Sequence, residues 1–479
     1  MKRKLLALAA GLLAGQGAIA GGIVTNTNQS AMFTRMLVRD ATRGLDAVYY
    51  NPAATAYFAP GLHFSLSNQS IFQTREITSD YPNLNQSTFM GDVTAPAFPS
   101  IYAAYSTGKL AFSFGFMPIG GGGSAVFAEG LPSFAVPVSD LVPTLRGSLG
   151  VLDNLVMKQT GMNPGFANID GYQADISFDG SSIYFGYQLG AAYAVNDMIA
   201  VGLGGRLVTA SNTYLGHIKD VMINAPAAYG GLQKPGQYLT LVGGATGVDL
   251  SASIASVNAQ TADRYVDAEQ SAMGFAPFFS LNIAPIEGLD IALKYEGLTA
   301  LELETTVNDG KSGGIFVDGA KSNADMPAML SAGIAYRPID KLLVTTGFHY
   351  FMDKSVNWDG KEEYINDNSW ELGLGLEYSL TDALALSAGY LVTENYPAQA
   401  YQTDQSNALS SSTIGFGGAY AINDRFELNL GASYTMYDLR EKTFLQPSQG
   451  TDIITTETYL KETFVVALGL NISLGQSAE

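Results

Sequence analysis

The chain contains no cysteine, so no disulfide staples it and no thiolate site holds a metal. Positive charge is scarce: 25 Lys and Arg stand against 44 Asp and Glu, a formal net charge of −19. That excludes the basic face that nucleic-acid binding requires. Histidine is nearly absent, and His63, His217 and His349 lie far apart, without the HExxH spacing of a zinc protease. No G-x-S-x-G elbow occurs, since Gly122-Gly123-Ser124-Ala125-Val126 fails at its last position. Gly108-Lys109 runs into leucine and makes no phosphate loop. The acidic stretch Asp359 to Glu363 reads as a solvated loop rather than a calcium site. An enzyme is therefore not expected, and neither is a cofactor or a metal. After the first residues no apolar run reaches 18 residues, which excludes a helical membrane span but not a barrel.

What is present points to export. Lys2, Arg3 and Lys4 precede an apolar core from Leu5 to Leu13, and Ala18-Ile19-Ala20 has the form of a cleavage site. Residues 1–20 are expected to be a signal peptide, leaving a mature chain of about 459 residues. Glycine (53) and tyrosine (26) are abundant while charged residues make up only 14%. Glycines inside a narrow lumen and tyrosines at membrane interfaces produce that balance.

Beyond Leu62 strand-like runs are joined by connectors that alternate between short and long. Ser106-Thr107-Gly108-Lys109, Val195-Asn196-Asp197 and Ala421-Ile422-Asn423-Asp424 are short; the joints between them are longer, and two are roughly fifty residues. Neighbouring side chains on a strand point to opposite faces, and the runs obey that parity. Trp370, Leu372, Leu374, Leu376 and Tyr378 fall on one face, opposite Glu371, Gly373, Gly375 and Glu377. Phe464, Val466, Leu468, Leu470 and Ile472 oppose Thr463, Ala467, Gly469, Asn471 and Ser473. The expectation is all-β: a transmembrane antiparallel barrel of about 14 strands over 61–474. Strands are placed near 62–78, 98–106, 109–119, 176–195, 198–216, 268–284, 288–306, 325–337, 341–356, 368–380, 383–396, 411–422, 425–439 and 458–474. An even count puts both ends of the wall on the short-turn side. A tail at 475–479 replaces the terminal aromatic residue that assembly machinery often reads.

Residues 21–60 show no alternation but are too apolar for a disordered tail, so an ordered hatch in the lumen is expected there. Asn51-Pro52-Ala53 in that hatch, ahead of such a barrel, resembles the FadL/TodX family of outer-membrane transporters of hydrophobic compounds. Three further stretches are similar to that family: Met326-Pro327-Ala328 leading into Ser331 to Pro338, Trp370 to Tyr378, and Gly415 to Tyr420 followed by Asn423-Asp424. The resemblance spans nearly the whole mature chain. It implies long-chain fatty acids or aromatic hydrocarbons as substrates, a hatch at about 21–60, and sideways release into the membrane.

Three further readings concern the route. Loops at about 120–175 and 217–267 are too apolar for ordinary surface loops. Ser139 is placed to cap a helix carrying Leu141, Leu145, Leu149, Leu152 and Leu155 or Val156. Phe127, Leu131, Phe134, Leu141, Leu145, Leu152, Tyr238 and Leu239 would line a greasy groove, or else pack on one another as a cap. Gly115, Pro118, Gly120 and Gly121 close the third strand; they either break the wall or simply end it. Parity points Arg206, Lys294, Glu296, Glu302, Arg337, His349, Glu371 and Glu377 inward. Arg206, Lys294 and Arg337 are candidates for a ligand carboxylate, the alternative being ion pairs that tie hatch to wall.

The expected function is uptake of hydrophobic small molecules by a plugged, monomeric barrel in the bacterial outer membrane. Its partners would be the ligand, outer-membrane lipid and lipopolysaccharide, and the assembly machinery. The rivals are a general diffusion porin with an open lumen and an outer-membrane lipid hydrolase with a Ser/His pair.

Overall fold

The computed structural model describes residues 23–448 and 451–474. The expected signal peptide, the first two residues of the hatch span and the tail at 475–479 lie outside the described residues.

Among the described residues, fourteen strands form the wall. In chain order they are β1 Gly61–Ser79, β2 Thr88–Ser106, β3 Leu110–Phe127, β4 Tyr172–Ala194, β5 Ile199–Asn224, β6 Arg264–Ile286, β7 Leu289–Glu296, β8 Met329–Ile339, β9 Leu342–Phe351, β10 Ile365–Ser379, β11 Leu384–Pro397, β12 Ser411–Asn423, β13 Phe426–Tyr437 and β14 Thr451–Ser473. Each pairs antiparallel with its neighbours, and β1 closes on β14 from His63↔Ser473 to Ser79↔Glu457. Closure removes the sheet edges, so the backbone is satisfied within the wall wherever the ladders are unbroken. Short ribbons, Glu302–Ser312 with Lys321–Asn323 and Arg440–Ser448, extend the wall at the long-loop end.

The side-chain alternation survives in the structure. Leu372, Leu374 and Leu376 are about half exposed on the outer surface, whereas Glu371 is fully buried. Tyr105, Tyr193, Tyr336, Tyr378 and Tyr420 stand on the outside just before the short turns. A continuous apolar band with an aromatic border exceeds what a water-facing surface tolerates, and it is what a lipid-facing barrel presents.

Three of the expected strands are corrected. The second strand begins at Thr88, ten residues before the expected start, although Pro96 and Pro99 lie within it. The third continues through its glycine run to Phe127. The seventh is not continuous: five residues, 297–301, leave the ladder after β7, and the parity then reverses. Leu301 and Leu303 are buried, while Glu302 turns outward and pairs with Lys321 at 2.6 Å. Glu302 is therefore not the luminal residue that parity made it.

At the long-loop end four helices among the described residues form a canopy: α3 Pro132–Ser139, α4 Leu141–Thr160, α5 Pro235–Thr246 and α6 Ser251–Gln260. Two single-turn helices, α1 Ala31–Thr34 and α2 Ala47–Tyr50, belong to the hatch. Ser139 does not cap α4. It closes α3, its hydroxyl donating to Val136 O at 2.8 Å. The expected loops are also shorter than drawn, because β4 and β5 reach beyond the membrane band to Tyr172 and Asn224.

Candidate functional site

The hatch fills the lumen. From Ile23 to Thr42 and from Asp46 to Ala56 every residue is buried. Its length from Ala31 to Ala41 runs along a belt of inward glycines on β8 to β14. A Cβ at Gly389 would lie 1.8 Å from the Met36 carbonyl oxygen, and one at Gly415 would lie 2.6 Å from that of Thr34. Only glycine lets the two backbones approach so closely. The expected Asn51-Pro52-Ala53 motif turns the chain into a 3-10 segment, Pro52–Tyr57. Asn51 Nδ2 donates to Asn282 Oδ1 on β6 at 2.7 Å, and Ala53 packs on Ala192, Ala194 and Ala200 of β4 and β5.

Buried charge adds to this docking. Arg39 holds Asp46 through two bonds of 2.9 and 3.0 Å inside the hatch. Arg35 reaches Glu377 on β10. His349 on β9 lies between Asp40 of the hatch at 2.6 Å and Glu371 on β10 at 2.9 Å. Glu371 also accepts from Thr27 at 2.9 Å.

Two of the three candidate cations belong to this network. Arg206 on β5 is bonded to Gln188 and Glu296 and lies under the Tyr49 ring. Lys294 on β7 donates to Tyr49 O at 2.8 Å and pairs with Glu296 at 3.1 Å. Their donors already serve the protein, which favours the hatch-to-wall alternative for both. Arg337 is exposed at the short-turn end, where it lines a cavity of about 290 Å³ with Arg35, Asp290 and Glu377.

The opposite wall differs. Against β4, β3 carries two bulges, between Pro118 and Gly120 and between Gly121 and Gly123. Gly121 and Gly123 take positive φ, 81° and 74°, a conformation that favours glycine. Against β2, the ladder stops at Ile101↔Phe116 and resumes only at Val93↔Ala125. Pro96 and Pro99 on the facing strand have no amide hydrogen to offer across that interval. The N-terminal end of the hatch docks here: Thr25 bridges to Gly120, and Asn26 N donates to Ile119 O at 2.8 Å. Gly115, Pro118, Gly120 and Gly121 thus lie within a continuing strand at the edge of a break. The prolines of β2, passed over in the sequence, form its other edge.

In the canopy, Phe127, Leu131, Phe134, Leu141, Leu145, Tyr238 and Leu239 are all buried in one apolar cluster, with Leu152 packed against it. Most of them pack on each other as a cap. Two reach open space: Phe134 lines a cavity of about 80 Å³ with Pro137, Phe178, Val266 and Ile315, and Leu141 lines a neighbouring one of about 220 Å³. Beside the first, Ser177 Oγ lies 2.9 Å from His217 Nδ1, and His217 Nε2 lies 2.8 Å from Asp175. Asp175 is half exposed and shared with Lys219. It therefore lacks the buried, single-partner setting in which an acid orients a catalytic imidazole.

A closed barrel with an apolar exterior, a buried N-terminal hatch and one interrupted ladder defines a plugged membrane β-barrel. Solved structures sharpen the likeness to the FadL/TodX type. A FadL homologue of Pseudomonas aeruginosa is similar over 94% of this chain and 99% of its own, at 13% identity and a TM-score of 0.63. The Pseudomonas putida toluene transporter TodX covers 94% and 99%, at 14% identity and 0.55. The Ralstonia pickettii toluene transporter TbuX covers 93% and 98%, at 16% identity and 0.52. At these identities it is the fold that is shared. No family model and no curated protein matches the sequence.

Proposed function

We propose that this chain is an outer-membrane passive transporter that takes up hydrophobic small molecules, long-chain fatty acids or monoaromatic hydrocarbons. The observation that carries the reading is the interrupted β2–β3 ladder with the start of the hatch docked upon it. In this reading the long-loop end faces outward, as long loops do in such barrels, and the hatch faces the periplasm. A ligand is captured among the apolar canopy helices, enters a pocket above the hatch, displaces residues 23–29 from β3 and leaves sideways into lipid. Partition of an apolar molecule down its gradient supplies the drive, without a nucleotide or bound cofactor. The names printed for the similar structures, a FadL homologue and two toluene transporters, support the substrate class. The hatch filling the lumen weighs against an open porin, and the half-exposed Asp175 weighs against a hydrolase.

The test is uptake by cells lacking their own transporter of radiolabelled oleate and of toluene, alongside planar-bilayer conductance. Uptake of at least one with little steady conductance is expected. Large steady conductance in the intact protein overturns the reading. Deleting residues 23–60 is expected to raise small-solute leakage strongly, and an unchanged leak removes the hatch.

A further inference from the structure

On β1 and β14, which close the barrel, Arg75 and Lys461 are direct cross-strand partners. Both point into the lumen and are buried, at 7% and 2% exposure. Like charges placed opposite each other repel, and neither residue has an ion-pair partner among the described residues. Arg75 Nε has no hydrogen-bond partner among the described residues. The Lys461 ammonium lies over the face of Tyr437, 5.0 Å from its centroid.

The luminal carboxylates are committed elsewhere. Glu296 serves Arg206 and Lys294, Glu377 serves Arg35, and Asp40 and Glu371 hold His349. Glu457, further up β14, accepts from Tyr459 at 2.6 Å. Two adjacent buried cations without a counter-charge are strongly unfavourable, and arginine cannot shed its proton to relieve this.

What lies beneath them suggests the occupant. Below Arg75 and Lys461 comes the pair Gln73↔Thr463, then Ile71↔Val465. Ile71, Val465 and Phe98 form a small apolar cluster, with Ala95 packed against it. Ala95 and Phe98 belong to the stretch of β2 that has lost its β3 partner. Four residues of strand separate Arg75 from Ile71, about 13 Å, so a cationic end and an apolar end lie along one line that stops at the wall break.

We propose that Arg75 and Lys461 bind the carboxylate head group of an amphiphilic ligand whose tail extends over Ile71, Val465 and Phe98 toward the β2–β3 break. This deepens the uptake reading and rests on it, naming the substrate class as anionic amphiphiles rather than neutral hydrocarbons.

The experiment measures equilibrium binding of radiolabelled palmitate, 1-hexadecanol, toluene and acetate to the purified full chain in detergent. Palmitate is expected to bind on the order of tenfold or more tightly than hexadecanol, the worth of a charge-assisted contact. Arg75→Gln and Lys461→Gln should each weaken palmitate about tenfold and leave hexadecanol unchanged. Arg75→Lys keeps the charge and should retain the preference, which guards against a variant that merely misfolds. Unfolding temperature in detergent supplies a second readout: palmitate should stabilise the native chain, and the double Gln variant should lose that response. Equal binding of palmitate and hexadecanol, or an unchanged palmitate affinity in the double variant, overturns the site while leaving the uptake reading standing. Acetate binding as tightly as palmitate overturns the tail assignment. Failure of palmitate, hexadecanol and toluene alike overturns the uptake reading itself.

Discussion

The wall from β8 to β14 and the wall at β2–β3 hold the same hatch in opposite ways. On the first, residues 31–41 lie against inward glycines at backbone distance, and buried ion pairs from Arg35 and Asp40 fasten them. On the second, residues 23–29 carry no charge, and one β-bridge, a few hydrogen bonds around Ile119 and Gly120, and apolar packing of Ile23 and Val24 join them to a strand that is itself bulged twice. A close-packed interface responds to change all at once, whereas a hydrogen-bonded edge can be peeled a bond at a time. Under the proposed uptake, anchoring would fall to one side of the lumen and movement to the other.

The largest effect tests the movable side. Ile119 and Gly122 are the extra residues of the two bulges, since Pro118↔Phe185, Gly120↔Tyr184, Gly121↔Ile183 and Gly123↔Ser182 skip them. Deleting both restores an unbroken register with β4 and keeps parity. Hydrophobic uptake should fall to background while the barrel keeps its heat-resistant gel mobility. Normal uptake by this variant would remove the sideways exit and make the bulges mere wall texture.

Next comes the anchored side. Asp46→Ala strands Arg39, which is 4% exposed, without its carboxylate. Loss of one partner of a buried pair costs about 3–5 kcal/mol. The hatch should therefore melt before the barrel, seen as a new low-temperature transition and as ion leakage through a folded wall. A single unshifted transition would mean that the hatch does not depend on this pair. Gly389→Ala, driven against Met36 O, is an overpacking change on the same side and should cost about 1–3 kcal/mol. Its expected signature is lower stability with unaltered ligand affinity.

Much of this was legible in the sequence, for physical reasons. Period-2 alternation needs only the pleat, so strands such as β10 and β14 can be read residue by residue. Apolar residues without alternation exposed the hatch, and the glycines of β10 and β12 suggested a crowded lumen. The start of β2 was missed because Pro96 and Pro99 argue against a central strand, yet here they sit where the ladder has already parted. Glu302 was assigned to the wrong face because parity carries across a strand only while the ladder is unbroken, and 297–301 breaks it. The residues expected to line a groove are apolar, but apolarity does not separate a side chain packed on its neighbours, such as Leu145, from one that lines a cavity, such as Phe134. Arg75 and Lys461 were invisible as a pair, because their adjacency exists only once the first strand meets the last.

The smallest effect separates the two sides most cleanly. Asn26 Nδ2 donates to Pro118 O at 3.2 Å, and its Oδ1 accepts from Asn28 N at 3.0 Å, so the side chain both shapes the hatch end and ties it to the bulge. Asn26→Ala removes contacts worth about 1 kcal/mol. If displacement of this end precedes ligand passage, the ligand works against that much less resistance, and its apparent affinity should rise by up to about fivefold. Thermal stability of the barrel should barely move, because the glycine belt and the Arg35 and Asp40 contacts are untouched. Gly389→Ala should do the reverse, lowering stability and leaving affinity alone. Binding isotherms and melting curves on the two variants therefore form a crossed pair. A rise in affinity from Gly389→Ala, or a large loss of stability from Asn26→Ala, would mean that anchoring and movement are not divided between the two walls.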